Sequence, residues 1–549
     1  MMRNAAVGLL LALSLVACSK GGSGAVQQAQ KDDPAEVGVG ERLFLDTRFS
    51  QYFAAHAIDT NTALRPGDPV MDEVIAADGR NRPGPFKGEA MNCRQCHLVD
   101  DAIHADGDGM RTYADFAVRS PVPSRADRGD TATVTARNSP ALVNASLPRA
   151  NALLYHFDGE FTSLEQLVIG TMTGRNYGWL PDEYAQAIAH IAKVIREDNG
   201  TGALAIDGGG SYRRVLLGTD PSLPVAFRLP APYRIDVTTA SDDEIVAAVA
   251  KLVAAYVRQL EFSRNPKTGL NDGSPYDLFL QLNDLPRAPN EGESPADYAA
   301  RLRAALNDGR KLKLVPNGTR SYQFHPGEKF EFADSELAGL RLFLDPAKAD
   351  CVACHMPPDF TDFGLHNTGA TQDEYDALHG AGSFAALAIP TLAQRNADPA
   401  PYLPATPAHP DYQGLFREAP RAEQALATDL GAWVTFANGD YASSQAPLHS
   451  VLCSSLTLAS CDDDAAMLDA AIATFKTPGL RDLGHSAPYL HTGREATVED
   501  VILFYQRNSV AARNGSVRNV DPKIADINIG DADVTPLTDF LRSLDEDYN

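Results

Sequence analysis

Cys93-Arg94-Gln95-Cys96-His97 and Cys351-Val352-Ala353-Cys354-His355 are two copies of one pattern in a chain of 549 residues that holds 7 cysteines. In Cys-x-x-Cys-His, two thiols form thioethers with the vinyl groups of a haem, and the adjacent His ligates its iron. Structural zinc and a redox-active Cys-x-x-Cys pair are the alternatives, and neither explains a His after both copies. The sequence therefore predicts two covalently bound haem c groups, held by Cys93, Cys96, Cys351 and Cys354, with His97 and His355 as iron ligands.

The two patterns belong to an internal repeat. GERLFLD (40–46) precedes the first copy and GLRLFLD (339–345) precedes the second. Downstream, RNSPALVN (137–144) matches FKTPGLRD (475–482), and the block 155–165 matches 489–499 in the same order. Such self-similarity indicates a duplicated domain. We expect a mainly α protein with two cytochrome c-like haem domains, 37–263 and 336–549, an interdomain connection over 264–335, and an insertion at about 366–470 in the second domain.

Capping patterns predict where several helices begin. Ser163 opens a helix over Leu164–Ile169, Ser241 opens one that runs through Glu261, and Thr497 caps one over Val498–Arg507. The sequence also predicts a C-terminal helix through Leu544 with Thr535 before Pro536 at its first position, and one helix near Ala296–Leu306. Strand-like alternation is scarce, and long loops join the helices, as suits domains in which a haem fills the core.

The N-terminus predicts export. Arg3 precedes an apolar run that is too short to span a bilayer, so residues 1–17 are interpreted as a cleaved signal peptide. Leu15-Val16-Ala17-Cys18 is similar to a bacterial lipobox, in which Cys18 becomes a lipidated N-terminus; ordinary signal cleavage is the alternative. Ser19 favours the periplasmic side of the outer membrane, and residues 18–36 have the composition of a flexible tether.

The remaining cysteines and the charge restrict the environment and the partners. Cys453 and Cys461 are expected to form a disulfide in an oxidising periplasm, with two free thiols as the alternative. The formal net charge of −24 argues against binding nucleic acid or anionic lipid and would favour a basic or neutral redox partner, although acidity also serves solubility. Because the rest of the chain offers no long apolar segment, membrane contact is expected only through the N-terminal lipid.

The motifs in combination resemble the bacterial di-haem cytochrome c peroxidase/MauG family. The resemblance rests on the twin haem motifs, on RNSPALVN and FKTPGLRD, on APYLHTG (487–493) and on FTDFGLHNTG (360–369). It implies an N-terminal catalytic haem, a C-terminal electron-relay haem and a calcium ion at the domain interface. In the peroxidase members H2O2 is reduced to water with electrons from small cytochromes or cupredoxins, whereas MauG-type members attack aromatic side chains of a partner protein.

The sixth ligand of the relay haem separates these branches. Peroxidase members carry a Met on the helix after the APYLHTG block, and the matching position here is Tyr505, as in MauG-type members. A phenolate is a hard anionic donor that stabilises oxidised iron, whereas a thioether raises the potential. Tyr505 as a core aromatic and His491 as the ligand are the alternatives.

The site of the catalytic haem departs from the family pattern. His104 lies too near His97 in sequence to reach the other haem face easily, and no further His occurs before His156, so we expect His104 at the surface and an open or water-filled sixth position. The distal Glu of the family matches Tyr177, and the inter-haem Trp matches Phe157. The candidate groups for moving a proton between peroxide oxygens are Arg175, Asn176, Tyr177 and Glu183.

The resemblance also maps calcium ligands to Asn138 and to the backbone carbonyls of Ser486 and Pro488, which are the oxygen donors that a hard ion prefers.

Three functions remain open from the sequence. The first is a peroxidase that reduces H2O2 at the N-terminal haem with electrons relayed through the C-terminal haem. The second is an oxidase or oxygenase that uses peroxide or O2 on a protein or organic substrate, which Tyr505 favours. The third is an electron-transfer cytochrome, against which an open haem position argues.

Overall fold

The computed structural model describes residues 34–62, 64, 73–75, 81–83, 92, 93, 96, 97, 135–147, 149, 153–265, 267–320 and 329–546. The predicted signal peptide, the lipid attachment site Cys18, most of the tether and His104 lie outside the described residues.

Helices dominate the described residues, so the fold is mainly α, as the sequence predicts. In chain order the α-helices are α1 (Ala35–Phe44), α2 (Gln51–His56), α3 (Leu164–Met172), α4 (Tyr184–Glu197), α5 (Ala203–Asp207), α6 (Tyr212–Leu217), α7 (Asp242–Gln259), α8 (Pro275–Leu282), α9 (Pro295–Leu306), α10 (Asp334–Phe343), α11 (Ala370–His379), α12 (Ser383–Ala386), α13 (Leu392–Ala397), α14 (Ala432–Thr435), α15 (Gln445–Ser455), α16 (Asp464–Ala470), α17 (Val498–Arg513), α18 (Pro522–Asp526) and α19 (Asp531–Arg542).

Short 3-10 turns and two small antiparallel strand pairs complete the described elements. The 3-10 turns are Thr47–Phe49, Arg175–Tyr177, Pro181–Glu183, Val225–Phe227, Ala231–Tyr233, Cys351–Ala353, Gly439–Ser444 and Leu483–His485. The strands are β1 (Glu73–Ile75) paired with β2 (Asn81–Pro83), and β3 (Leu365–His366) paired with β4 (Phe475–Lys476).

The first and last helices of each half cross at a glycine. α1 packs across α7, and a Cβ at Gly40 would overlap the carbonyl of Leu252. α10 packs across α19 in the same way, because a Cβ at Gly339 would overlap the carbonyl of Pro536. Only glycine allows the two backbones to approach this closely. The glycine that opens each repeated GxRLFLD block is therefore the residue on which the helix crossing depends.

The backbone after each haem motif also corresponds between the halves. Asn144 and Asp482, which end the matched Pro-containing blocks, both have a positive φ, of 58° and 63°. Their N–H groups donate to the carbonyls of Leu260 and Leu544, which lie directly after α7 and shortly after α19, at 2.8 and 3.4 Å. Each block is thus tied to the end of the last helix of its own half.

The turns before α3 and α17 correspond as well. Ser163 Oγ accepts from the N–H of Gln166 at the start of α3, and Thr497 Oγ1 accepts from the N–H of Asp500 at the start of α17, as predicted from their capping patterns. An antiparallel bridge around a glycine with positive φ precedes both helices: Tyr155 with Phe161 around Gly159, and Tyr489 with Glu495 around Gly493.

The insertion predicted at about 366–470 contributes most of a third apolar cluster beside the two helical cores. Trp433 is 1 % exposed at its centre, with the guanidinium of Arg395 4.8 Å from its ring. Arg395 is buried as well and donates to the carbonyls of Trp433, Phe436 and Ala437. The predicted disulfide joins Cys453 and Cys461, with Cα atoms 5.7 Å apart, and is confirmed.

The stretch 264–335 does more than connect the halves. Its helices α8 and α9 bury Tyr276, Phe279 and Leu302 in the core of the second half. The sequence predicts one helix here, and α9 matches it, but α8 is missed. The missed signal is local, since Ser274 Oγ accepts from the N–H of Asp277, and Pro275 occupies the first helical position.

The start of the C-terminal helix differs from the prediction. α19 begins at Asp531, where the side chain of Asp533 accepts from the N–H of Gly530, so Pro536 lies inside the helix and not at its first position. A helix-opening Pro and a Pro one turn further in look alike in sequence, because both lie early in a helix. Within the described ranges, every helix falls short of the length and apolar character that a membrane crossing requires.

Candidate functional site

One cavity connects the two Cys-x-x-Cys-His motifs. Its volume is about 1530 Å3, which exceeds the ~300–1,000 Å3 of typical small-molecule sites. None of the four motif cysteines forms a disulfide, so all four thiols remain for another bond. Both motif histidines and all four motif cysteines line this cavity: Cys93, Cys96, His97, Cys351, Cys354 and His355. The donor set and the size of the cavity fit two haem c groups.

The two motif histidines are oriented in the same way. Nδ1 of His97 lies 2.9 Å from the carbonyl of Pro140, and Nδ1 of His355 lies 2.9 Å from the carbonyl of Phe360. Because a carbonyl only accepts, Nδ1 carries the proton and Nε2 keeps the lone pair that a metal needs. Burial lowers the pKa of His97 to about 4 and also lowers the pKa of His355, so both imidazoles are in the neutral, ligating form.

Tyr505 on α17 lines the same cavity near the second motif. Burial raises the pKa of the Tyr505 hydroxyl well above its usual value, and the neighbouring Cys354 and Cys351 raise it further. A phenolate at this position would therefore need a cation such as iron to stabilise it. The structure places Tyr505 where the sequence predicts a ligand of the second haem; the ligation itself stays a prediction.

His491, the alternative ligand, is committed to other contacts. Its ring stacks on Phe475 at 3.5 Å, and its Nε2 lies 3.3 Å from Thr371 Oγ1. The Thr371 hydroxyl donates its proton to the carbonyl of Asp429, so it accepts from His491, whose Nε2 is then protonated. In this tautomer Nε2 has no lone pair for an iron, and the lone pair of the ring lies on Nδ1. The ring centroid of Phe157, the residue that the resemblance predicts between the haems, lies 6.5 Å from that of His491.

The position that corresponds to Tyr505 in the first half is Thr171. Each lies at the same place in its helix, counted from the capping residues Ser163 and Thr497, and both line the cavity. A neutral Thr hydroxyl is not among the axial ligands of protein haems, which are His, Cys, Met and Tyr. Thr171 is not among the residues predicted from the sequence, although the internal repeat aligns it with Tyr505.

The predicted distal candidates of the first haem divide into two groups. Arg175, Asn176 and Tyr177 form a 3-10 turn after α3 and line the cavity. The hydroxyl of Tyr177 is buried, lies 3.2 Å from Sγ of Cys93 and has a pKa that burial raises well above its usual value. Glu183 lies outside the cavity lining, because its carboxylate accepts from the N–H of Leu180 at 2.8 Å and caps the next turn. Glu183 is thus set apart from the other three candidates, and the roles of all four stay predictions.

The predicted calcium ligands come together but form a hydrogen bond. Nδ2 of Asn138 donates to the carbonyl of Pro488 at 2.5 Å, and Oδ1 of Asn138 accepts from the N–H of Ser139. Ser486 lines the cavity nearby. Because the amide nitrogen faces the carbonyl, this arrangement does not fit the oxygen cage that Ca2+ requires. Calcium binding stays a prediction.

A buried ion network links the first half to the insertion. Arg137 lies 2.8 Å from Asp158 and 2.5 Å from Asp429, and Arg417 contacts both Asp158 and Glu160. Burial alone would raise the pKa of Asp429, but the guanidinium of Arg137 lowers it below its usual value. The partners lie far apart in sequence, and no local pattern indicates the pairing.

No family model and no curated protein matches the chain. Several solved structures do. The di-haem peroxidase BthA from Burkholderia thailandensis matches at 16 % identity and a TM-score of 0.42, over 94 % of this chain and 86 % of that one. A single-substitution variant of it gives 16 % identity and a TM-score of 0.43, over 94 % of this chain and 87 % of that one. A MauG-like protein associated with microbial copper homeostasis matches at 17 % identity and a TM-score of 0.43, over 94 % of this chain and 90 % of that one. Likenesses this distant carry no argument about function, which rests on the residues of this chain.

Proposed function

We propose that the chain is a member of the di-haem cytochrome c peroxidase/MauG family, built from two cytochrome c-like halves. It reduces H2O2 to water at the N-terminal haem with electrons that enter through the C-terminal haem. One observation carries the proposal: in a repeated frame, the residue that can ligate the second haem, Tyr505, is replaced by Thr171 in the first half. Tyr505 can thus close the sixth position of the second haem, whereas the first haem site can accept a small molecule.

The haems, when bound, supply iron that can exchange electrons and bind peroxide. The chain supplies the rest. Pro140 and Phe360 fix the tautomers of His97 and His355, so that each presents Nε2 to its iron. Reduction of H2O2 to two waters consumes two electrons and two protons, and Arg175, Asn176 and Tyr177 are the polar groups at the first site that can orient peroxide or move a proton.

The aromatic contact between the halves suits electron transfer. Phe157, His491 and Phe475 form a row of neighbouring rings on the wall of the cavity that both motifs line. Phe is harder to oxidise than Trp, so the row serves as a packed medium for tunnelling and not as a chain of oxidised side chains. The electron donor is a small cytochrome c or cupredoxin with a neutral or basic surface, because the chain carries a net charge of −24.

A MauG-like oxidase acting on a protein or organic substrate is the second candidate, and Tyr505 is the observation that favours it. An anionic phenolate stabilises oxidised iron at the second site and so favours storage of oxidising equivalents over rapid delivery of electrons. An electron-transfer cytochrome without a substrate is disfavoured by Thr171. For either enzyme we propose anchoring to the periplasmic side of the outer membrane through lipid at Cys18.

The test mixes the fully ferric holoprotein with H2O2 in a stopped-flow instrument. Since Thr171 provides no ligand to release, we expect an immediate spectral change at the haem bound by His97, without prior reduction. Steady turnover with a reduced small cytochrome or cupredoxin supports the peroxidase. Reaction with peroxide but negligible turnover favours the oxidase. A ferric protein that reacts only after half-reduction would show that an unidentified ligand closes the first site, and His104 would be the first residue to replace.

A further inference from the structure

Two cations face the cavity between the halves, and neither has a carboxylate hydrogen-bond partner in the part of the chain that the structure describes. Arg149 donates to the carbonyls of Leu154 and Ala145 at 2.8 and 2.9 Å, and Nζ of Lys476 donates to the same Leu154 carbonyl at 3.0 Å. Both side chains line the cavity. Among the described residues, the hydrogen bonds of these two groups all go to backbone carbonyls, so neither positive charge is neutralised by a side chain.

Burying these two positive charges costs free energy unless an anion binds beside them. A buried charge without a counter-ion loses its hydration and gains only partial compensation from carbonyl dipoles. Burial lowers the pKa of Lys476 to about 7 and that of Arg149 to about 10, and Nε of Arg149 is buried without a hydrogen-bond partner. The acid that raises the pKa of Lys476 is Asp158, which already pairs with Arg137 and Arg417.

The position of the pair points to the missing anion. The N–H of Lys476 donates to the carbonyl of Phe157 in the first half, and the guanidinium of Arg149 lies 4.0 Å over the ring of Phe363 in the second. The pair therefore lies where the two halves meet. A haem carries two propionate carboxylates on the porphyrin edge opposite its vinyl groups. Because the motif cysteines would hold the vinyl edge of a bound haem, its carboxylates would face away from the cysteines.

We propose that Arg149 and Lys476 form a shared binding site for haem propionate carboxylates at the junction of the halves, and that their charge sets the reduction potential of the haem whose propionates they hold. The inference rests on the two haem c groups of the proposed function but not on the reaction that these haems perform. A cation near a haem opposes the positive charge that the iron gains on oxidation, so each cation favours the reduced form.

The test compares four variants of the holoprotein by potentiometric titration at several pH values. In Lys476→Met and Arg149→Gln we expect the midpoint reduction potential of one haem to fall. The ferrous-to-ferric ratio at a fixed potential should change roughly tenfold, which corresponds to about 59 mV for one electron. Losing the cation also raises the propionate pKa, so the midpoint of these variants should rise more steeply than that of wild type as the pH falls. Lys476→Arg keeps the charge, so its midpoint potentials and their pH dependence should remain close to those of wild type.

Lys251→Met is the matched control, because Nζ of Lys251 also donates to a backbone carbonyl, that of Pro232, but on the exposed surface. Pyridine haemochrome titration of every variant confirms that two haems remain attached. Midpoints and pH profiles of Lys476→Met and Arg149→Gln that equal those of Lys251→Met would overturn the assignment. Should Lys476→Met fail to fold, Arg149→Gln carries the same test. A shifted midpoint in a protein without peroxide turnover would keep this inference and reject the peroxidase.

Discussion

The two halves of the molecule share a frame and differ where a haem iron would be approached. Both cross their first and last helices at a glycine, both orient a motif His through a backbone carbonyl, and both cap the following helix with Ser or Thr. Inside this common frame the second half presents Tyr505 and the first half Thr171. Under the proposed function, this one position gives the two halves different roles, while the positions that would hold the haems are the same in both.

The largest expected effect tests whether the halves carry separate cofactors. Wild type should give about two haems per chain in a pyridine haemochrome titration, by the rule of one haem per motif. Cys351→Ala/Cys354→Ala and Cys93→Ala/Cys96→Ala should each give about one, because each motif binds its haem through its own thioethers. A wild-type value near one would contradict the duplication. Loss of both haems in either double variant would show that the sites are not independent.

The next prediction exchanges the residues that distinguish the halves. Tyr505→Phe removes the phenol oxygen and should convert a low-spin ferric signal to a high-spin one in the EPR spectrum. Thr171→Tyr should do the reverse at the first haem, since it places a phenol at the corresponding position. Tyr489→Phe is the control, because Tyr489 lines the same cavity but bonds to the carbonyl of Leu483. A low-spin signal that survives Tyr505→Phe would leave Tyr505 as core packing.

How far the sequence predicted this site depends on how local each signal is. The motif ligands, the disulfide and the helix caps Ser163 and Thr497 each lie within a few neighbouring residues, and the disulfide and the caps are confirmed. Thr171 could have been predicted, since the family resemblance indicated Tyr505 and the internal repeat aligns the helix of Tyr505 with α3. The pairing of Arg149 with Lys476 could not be predicted, because nothing in the residues around Lys476 indicates that it contacts a backbone carbonyl of the first half.

The ion network shows the same limit and gives a third prediction. The insertion belongs to the second half in sequence, yet its Asp429 pairs with Arg137 of the first. Arg137→Met leaves Asp158 and Asp429 buried without this partner, so we expect a loss of about 3–5 kcal/mol in the free energy of unfolding at neutral pH. The measurement is urea unfolding of the holoprotein.

The pH dependence of this loss has a defined sign. Arg137 holds the pKa of Asp429 below its usual value, so the stabilisation is present above the unfolded pKa of about 3.9 and disappears as the pH falls through the lower folded value. The difference in the free energy of unfolding between wild type and Arg137→Met should therefore become smaller as the pH falls. The double variant Arg137→Met/Asp429→Asn should recover part of the loss. If the free energy of unfolding of Arg137→Met lies within about 1 kcal/mol of the wild-type value, the network contributes little to stability.

The smallest expected effect tests whether the two helix crossings are equivalent. Gly40→Ala and Gly339→Ala each force a Cβ into a backbone carbonyl, so the helices must separate, and we expect the free energy of unfolding to fall by about 1–3 kcal/mol in each.

Gly38→Ala is the matched control on the same helix as Gly40. A Cβ at Gly38 meets its nearest atoms at 3.9 Å, in ordinary contact, and Ala is the better helix former by roughly 0.5–1 kcal/mol. The urea midpoint should therefore fall in Gly40→Ala and Gly339→Ala and stay level or rise in Gly38→Ala. If Gly40→Ala behaves like Gly38→Ala while Gly339→Ala is destabilised, the crossings differ, and the correspondence between the halves is limited to the segments after the haem motifs.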